Sequence, residues 1–310
     1  MHGWYPGRLF RRLGPFAGFL ALALALSLLS DRFLTVSNLL NVARQISINA
    51  IIAAGMTAVI LTGGIDLSVG SILALAGALT AGTIAAGRPV PVGVMTGLGV
   101  GVVAGLVNGL LVTRGRIPAF IATLGTMTAL RGLTLTYTGG RPITGLTDSF
   151  RAIGGGYLLG IPVPVAIMAL VFATAWVFLS HTRPGRYVYA IGSNREAVRV
   201  AGVPTAPYET LVYVLSGLAA GLAGVILTSR LNSAQPTAGL GYELDAIAAV
   251  VLGGTSLAGG SGGVMGTLVG ALIIGVLDNG LNLLGVSSFY QQVVKGLVIL
   301  LAVLLDRAKK

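Results

Sequence analysis

Long apolar runs separated by short polar breaks organise the chain from about residue 14 to residue 305. Several reach the roughly 20 residues that a helix needs to cross a bilayer core. A backbone in lipid must satisfy its own hydrogen bonds, which leaves helices or a closed barrel. The runs are continuous rather than alternating, and this selects helices. The pattern predicts an all-α polytopic membrane bundle forming a single unit, 1–310. Its ten spans fall near 14–30, 46–62, 67–87, 90–113, 117–137, 157–180, 208–228, 244–258, 264–284 and 288–305. The eighth is short and runs into Leu252-Gly-Gly-Thr-Ser-Leu-Ala-Gly-Gly-Ser-Gly-Gly263, as a broken or re-entrant helix would.

Composition agrees. Of 310 residues 55% are hydrophobic and only 9% are charged, and the mean hydropathy is +0.90. A soluble domain of this length needs far more charge to cover its surface. The net charge of +11 suggests nucleic acid as a partner, but the basic residues sit at the ends of apolar runs, where loop charge orients a membrane protein. We read no nucleic-acid partner, and the lipid bilayer as the solvent. The absence of cysteine excludes disulfides, thiol catalysis and cysteine metal sites. The first apolar run ends in Ser30-Asp31-Arg32-Phe33 without a small-residue cleavage pattern, so it reads as an uncleaved first helix.

An even number of spans puts both termini on one side. That side then carries Arg8, Arg11, Arg12, Arg114, Arg116, Arg183, Arg186, Arg195, Arg199, Arg307, Lys309 and Lys310; the other carries Arg32, Arg44, Arg88, Arg141, Arg151 and Arg230. The excess makes the first side cytoplasmic, N-in and C-in. Segment 1–13 is then a cytoplasmic N-terminus, 138–156 a periplasmic loop and 181–207 a cytoplasmic loop. In the fourth span Gly93, Gly97, Gly101, Gly105 and Gly109 recur every four residues, a smooth stripe on which another backbone can pack. Two internal echoes, Gly63–Ser71 with Gly253–Ser261 and Asn108-Gly-Leu with Asn279-Gly-Leu, imply incompatible symmetries, so neither defines a repeat.

The cytoplasmic loop contains Ser193-Asn-Arg-Glu-Ala-Val-Arg-Val-Ala-Gly-Val-Pro204. Ser193 and Glu196 have capping-box spacing, Gly202 suits a left-handed C-terminal cap, and Pro204 ends the helix. The spacing predicts a two-turn helix with Ala197, Val198 and Ala201 as a small apolar patch and Arg195 and Arg199 on another face. So short a helix must dock on something: its own bundle, or a groove on a cytosolic partner.

Glu196-Ala-Val-x-x-x-Gly202 resembles the EAA loop of ABC-importer permeases, with Val198 at the second alanine and without the Leu-Pro ending. Five segments in order resemble one family more closely, the ribose/xylose/galactoside-type sugar ABC permeases. These are Phe33-Leu-Thr-Val-Ser-Asn-Leu-Leu-Asn41, Gly63-Gly-Ile-Asp-Leu-Ser-Val-Gly70, Gly139-Gly-Arg-Pro-Ile143, Ala190-Ile-Gly-Ser-Asn-Arg-Glu-Ala197 and Val251–Gly263. The resemblance implies the transmembrane subunit of a binding-protein-dependent sugar importer of the bacterial inner membrane. Its partners would be a second permease copy or a paralogue, a cytosolic ABC ATPase and a periplasmic sugar-binding protein. Coupling to the ATPase would fall on Ser193, Asn194, Arg195, Glu196, Ala197, Arg199 and Gly202, and binding-protein docking on Gly140, Arg141 and Pro142. Independently, no glycine-rich loop ends in Gly-Lys-Ser/Thr, so ATP would be used by the partner and no cofactor bound by this chain.

The remaining polar residues each carry two readings. Asp66 either caps the third helix or belongs to a functional site, as acids in membranes do. Ser68, Asn108, Thr123, Thr126, Asn279 and Asn282, with Asp66, are candidates for a translocation pathway, because sugar hydroxyls need neutral donors and acceptors; the same types also tie helices together. Asp278 and Lys295 suit an ion pair between the last two helices, and Arg131 suits snorkelling to the interface. His2 and His181 lie outside the spans, which disfavours a proton-driven carrier. No HExxH motif, carboxylate pair or Ser-His-Asp set points to catalysis or a metal. The alternatives are the same machine carrying branched-chain amino acids or nucleosides, an ion-driven secondary transporter, and a non-transporting scaffold.

Overall fold

The computed structural model describes residues 6–307. Lys309 and Lys310 and the first five residues of the expected N-terminal segment lie outside the described residues. Among those described there are twelve helices: α1 (Pro6–Leu29), α2 (Val36–Leu61), α3 (Val69–Ala85), α4 (Val90–Thr113), α5 (Ala119–Thr138), α6 (Asp148–Gly155), α7 (Val163–His181), α8 (Arg183–Val200), α9 (Thr205–Leu231), α10 (Tyr242–Leu252), α11 (Val264–Leu283) and α12 (Ser288–Arg307). Four two-residue strands accompany them. β1 (Ile143–Thr144) pairs antiparallel with β4 (Ser233–Ala234), and β2 (Tyr157–Leu158) with β3 (Ile161–Pro162).

Five helices, α2, α4, α7, α9 and α11, are long and apolar enough to cross a membrane; α3 and Gly14–Leu29 are shorter apolar helices. Their arrangement follows from lipid as the solvent. The central α2 buries 83% of its most apolar stretch, while α7, the most hydropathic of the five, buries only 17%. Leu170 and Val177 of α7 face outward, as do Met95 and Val103 of α4. In water this order would be inverted; in lipid an apolar outer face costs nothing, and close packing holds the interior together.

The closest packing is the crossing of α4 and α9. Gly93, Gly97, Gly101, Gly105 and Gly109 are all buried on α4. Gly101 lies on the backbone of Gly217 and Gly221, Gly105 on that of Tyr213 and Val214, and Gly109 on Thr210. A Cβ at Gly221 would stand 2.8 Å from the Gly97 carbonyl oxygen. The stripe is a helix-crossing surface.

Three segments differ from the sequence expectation. The outer loop contains the short helix α6. The 193–202 helix is the second half of α8, whose chain bends at Asn194 (φ −159°, ψ 95°). The eighth span shrinks to α10, eleven residues or about 16 Å, roughly half a bilayer core. It is entered through irregular chain in which Gly239 (φ +73°) lies with its backbone against Gly70 at the first turn of α3. Two helix starts therefore meet inside the bundle, where neighbouring protein covers the irregular backbone.

Gly101→Ala should lower the stability of the detergent-purified protein by about 1–3 kcal/mol, since the new methyl has to displace backbone. Gly99→Ala, facing open space, should leave the thermal midpoint unchanged.

Candidate functional site

Asp66 lies in the non-helical link between α2 and α3 and is fully buried. Its Oδ1 accepts from the Ser68 amide (3.0 Å), the Ser68 hydroxyl (2.6 Å) and Asn108 Nδ2 (3.4 Å), and its Oδ2 from the Ser216 hydroxyl (2.9 Å). Asn108 also donates to Ser68 Oγ (2.7 Å) and accepts from Thr126 Oγ1 (2.7 Å). Thr123 Oγ1 reaches the Ile65 carbonyl (3.2 Å). Among the described residues no basic side chain pairs with Asp66. A charge out of water is expensive unless its lone pairs are filled, and here four donors from the link, α4 and α9 fill them. Asp66 is not the cap of α3, whose N-cap is Ser68; its bond to the Ser68 amide closes a turn within the link, and its carboxylate anchors a polar knot between helices.

Five of the seven pathway candidates thus converge: Asp66, Ser68, Asn108, Thr123 and Thr126. The other two stand apart. Asn279 exchanges two hydrogen bonds with Asn38 (3.0 and 2.9 Å), tying α11 to the start of α2, and Asn282 accepts from Gln291 of α12 (2.8 Å).

On the α8 side of the knot a cavity of about 840 Å³ is lined by Gly63, Gly64, Arg116, Arg195, Glu209 and Tyr213 among others. This is the size range of small-molecule sites. Tyr213 lines the cavity one turn before Ser216 on α9. It is 1% exposed, its hydroxyl has no hydrogen-bond partner, and it packs so tightly on Gly64 that a Cβ there would collide with that hydroxyl.

In α8 the cap differs from the expected box. The extended backbone at Asn194 makes it the capping residue, and its Oδ1 accepts from the Ala197 amide (2.9 Å). Glu196 turns away from Ser193 and pairs with Arg199 (3.0 Å). Gly202 takes the left-handed conformation (φ +79°). Of the small apolar patch only Val198 is buried; Ala197 and Ala201 are exposed, and Val200 is 79% exposed. Arg195 reaches back to Glu209 near the start of α9 (2.8 Å). Ser193, Asn194, Arg195, Glu196, Ala197 and Arg199 all present exposed surface at this end.

At the opposite end Gly140, Arg141 and Pro142 form an exposed turn beyond α5, followed directly by β1. Arg131 does not snorkel: its Nη1 donates to the carbonyls of Pro236 (2.7 Å) and Ala238 (2.8 Å), holding the irregular chain before α10. Lys295 pairs with Asp278 (2.9 Å) and also with Asp245 of α10 (3.1 Å), a second acid that the sequence reading missed. Ser216, Tyr213 and Glu209 were missed too. A lone serine in an apolar run carries no signal, but the three lie at i, i+4 and i+7 of one helix, a spacing that marks a shared face.

Apolar helices turned outward around a buried polar knot, with a charged short helix exposed at one end, mark a multi-pass membrane protein. The chain belongs to the family described as the permease component of the branched-chain amino acid transport system, whose model matches residues 38–303. It is 58% identical over 301 residues to the ribose import permease protein RbsC of Bacillus subtilis (96% of this chain, 94% of that one) and 56% identical over 295 residues to the RbsC of Escherichia coli K12 (94% and 92%). It is 41% identical over 282 residues to the D-allose transport system permease protein AlsC of the same strain (91% and 86%). No solved structure matches the chain.

Lys295→Met should destabilise the protein by about 3–5 kcal/mol, because two partly buried carboxylates lose their cation. Adding Asp245→Asn and Asp278→Asn should recover most of that loss in a thermal melt.

Proposed function

We propose that the chain is the membrane subunit of an ATP-driven importer and that its cargo is ribose. The observation that carries the coupling reading is the exposed, capped turn Arg195–Val200, pinned by Arg195 to α9 beside an open cavity. The turn is held on its own bundle by buried Val198 and by Arg195 on Glu209, and its outer face, with Val200 bare, suits a groove on a cytosolic ATPase. The cargo reading rests on the relatives: identity to ribose permeases is 58% and 56%, against 41% to the allose permease.

In this reading ten segments pass through the bacterial inner membrane, α10 being an incomplete one, and both termini are cytoplasmic. The charge bias supports that orientation. A periplasmic ribose-binding protein delivers sugar to the end that carries Gly140, Arg141 and Pro142. A second copy of the chain completes the pathway along α5, whose Phe120, Ile121 and Leu133 are exposed in the single chain. ATP is bound by the partner ATPase; its closure pulls on the coupling turn and opens the path past the Asp66 knot. The hydroxyl- and amide-rich knot suits a neutral, polyhydroxylated cargo. Branched-chain amino acids, which the family description names, are the competing cargo; their charged α-amino and α-carboxylate groups have no matching ion pair at the knot.

Proteoliposomes holding the chain, its ATPase and ribose-binding protein should accumulate radiolabelled ribose only with ATP on the ATPase side. Uptake that an uncoupler collapses and that ignores ATP would overturn the proposal. Val200→Asp, on the bare face of the turn, should strip the ATPase from the purified complex and cut uptake at least tenfold, with the melting of the permease itself unchanged.

A further inference from the structure

α9 joins the two functional regions directly. Near its start Glu209, only 6% exposed, holds Arg195 of the coupling turn at 2.8 Å. One turn on, Tyr213 lines the cavity, and at Ser216 the same face bonds the Asp66 carboxylate at 2.9 Å. The three positions span about 10 Å along the helix. α9 runs 27 residues, and Pro207 falls in its first turn, where a missing amide breaks no helix bond.

The knot's other members leave little slack. Asn108 is on α4, and α4 lies backbone to backbone on α9 at Gly101, Gly105 and Gly109. Thr113 of α4 also bonds Thr210 of α9, hydroxyl to hydroxyl at 3.1 Å. Packed so closely, the two helices shift together, for interiors this tight move as units rather than deform. Asp66 is on neither helix but in the non-helical link between α2 and α3. α2 and α3 also lie on α9, Gly55 against Ser216 and Gly224 against Leu73, so a pull on α9 is felt at the one irregular segment of this packing, the link, where Ser216 and Asn108 bond Asp66.

We propose that α9 is the rod that carries the stroke of the ATPase from Arg195 to the Asp66 knot, with Glu209 and Ser216 as positioning residues at its two ends. This rests on the importer reading above. Neither residue needs to touch sugar or nucleotide; each fixes how far movement at one end is felt at the other.

The cysteine-free chain permits a direct test in the full reconstituted complex. Arg195→Cys with Glu209→Cys removes the ion pair, and the ratio of ribose taken up to ATP hydrolysed should fall about tenfold while hydrolysis continues. A short bifunctional thiol cross-linker then replaces the ion pair by a covalent link and should restore the ratio to within about twofold of the original. Glu209→Gln should uncouple similarly, with Glu209→Asp close to normal, and Ser216→Ala should uncouple without loosening the ATPase. An unchanged ratio in the unlinked pair, or a cross-link that forms without restoring it, overturns the proposal. So does a Glu209→Gln variant that melts early and loses hydrolysis and uptake in parallel, since that marks a structural role only. If the original complex shows no ATP-driven ribose uptake, the importer reading itself falls, and this proposal with it.

Discussion

Among the described residues no cation stands beside the buried carboxylate of Asp66, and the structure around it is built to hold it. Two hydroxyls, a side-chain amide and a backbone amide converge on its two oxygens. They come from three separate parts of the chain, so the carboxylate fixes the relative positions of the α2–α3 link, α4 and α9. Such an arrangement is held firmly while every donor is in place and becomes costly as soon as one leaves. In the proposed importer it would serve as a two-state element: closed with all bonds made, or open with water or a polyhydroxylated guest replacing them.

The surrounding packing makes the knot respond to force rather than to drift. Lipid offers no hydrophobic drive between helices, so contact distance matters most. The glycines of α4 and α9 let the two backbones touch, and this couples the Asn108 and Ser216 sides of the knot into one body. The outer helices are held differently, by paired polar groups: Asn38 with Asn279, and Lys295 with Asp245 and Asp278. These contacts lie away from the knot and clamp α10, α11 and α12 to the body of the bundle.

Much of this was legible in the sequence where one physical rule dominates. Apolar length located the long helices, five of which are long and apolar enough to cross a membrane, and 90–113 coincides with α4 because prolines enter it and polar residues end it. The four-residue glycine period identified the crossing face because only backbone approach requires it. Five of the knot residues were visible as polar groups in apolar runs, but not that they meet, since this depends on how α3, α4 and α5 are arranged. Ser216 was hidden because it looks like any packing serine, whereas Asn279 and Asn282, read as pathway candidates, lie apart from the knot and tie helices together. At residue 194 a local rule gave way to a neighbour: the backbone bends one residue later than the Ser193–Glu196 spacing suggests, and Asn194 takes over the cap. Arg131 reads as a snorkelling side chain until the irregular chain before α10 supplies carbonyls for it.

The central claim is that the Asp66 knot is a gate driven by nucleotide. It is tested most directly by a single cysteine at Thr126 in the cysteine-free chain, placed in the reconstituted complex and exposed to a membrane-impermeant thiol reagent from one side at a time. The account predicts that the side from which Cys reacts switches when a non-hydrolysable ATP analogue binds, and switches back when it is removed. Reactivity that stays the same from both sides, with and without nucleotide, in a complex that still imports ribose, would show that cargo passes elsewhere and that the knot is only a structural tie.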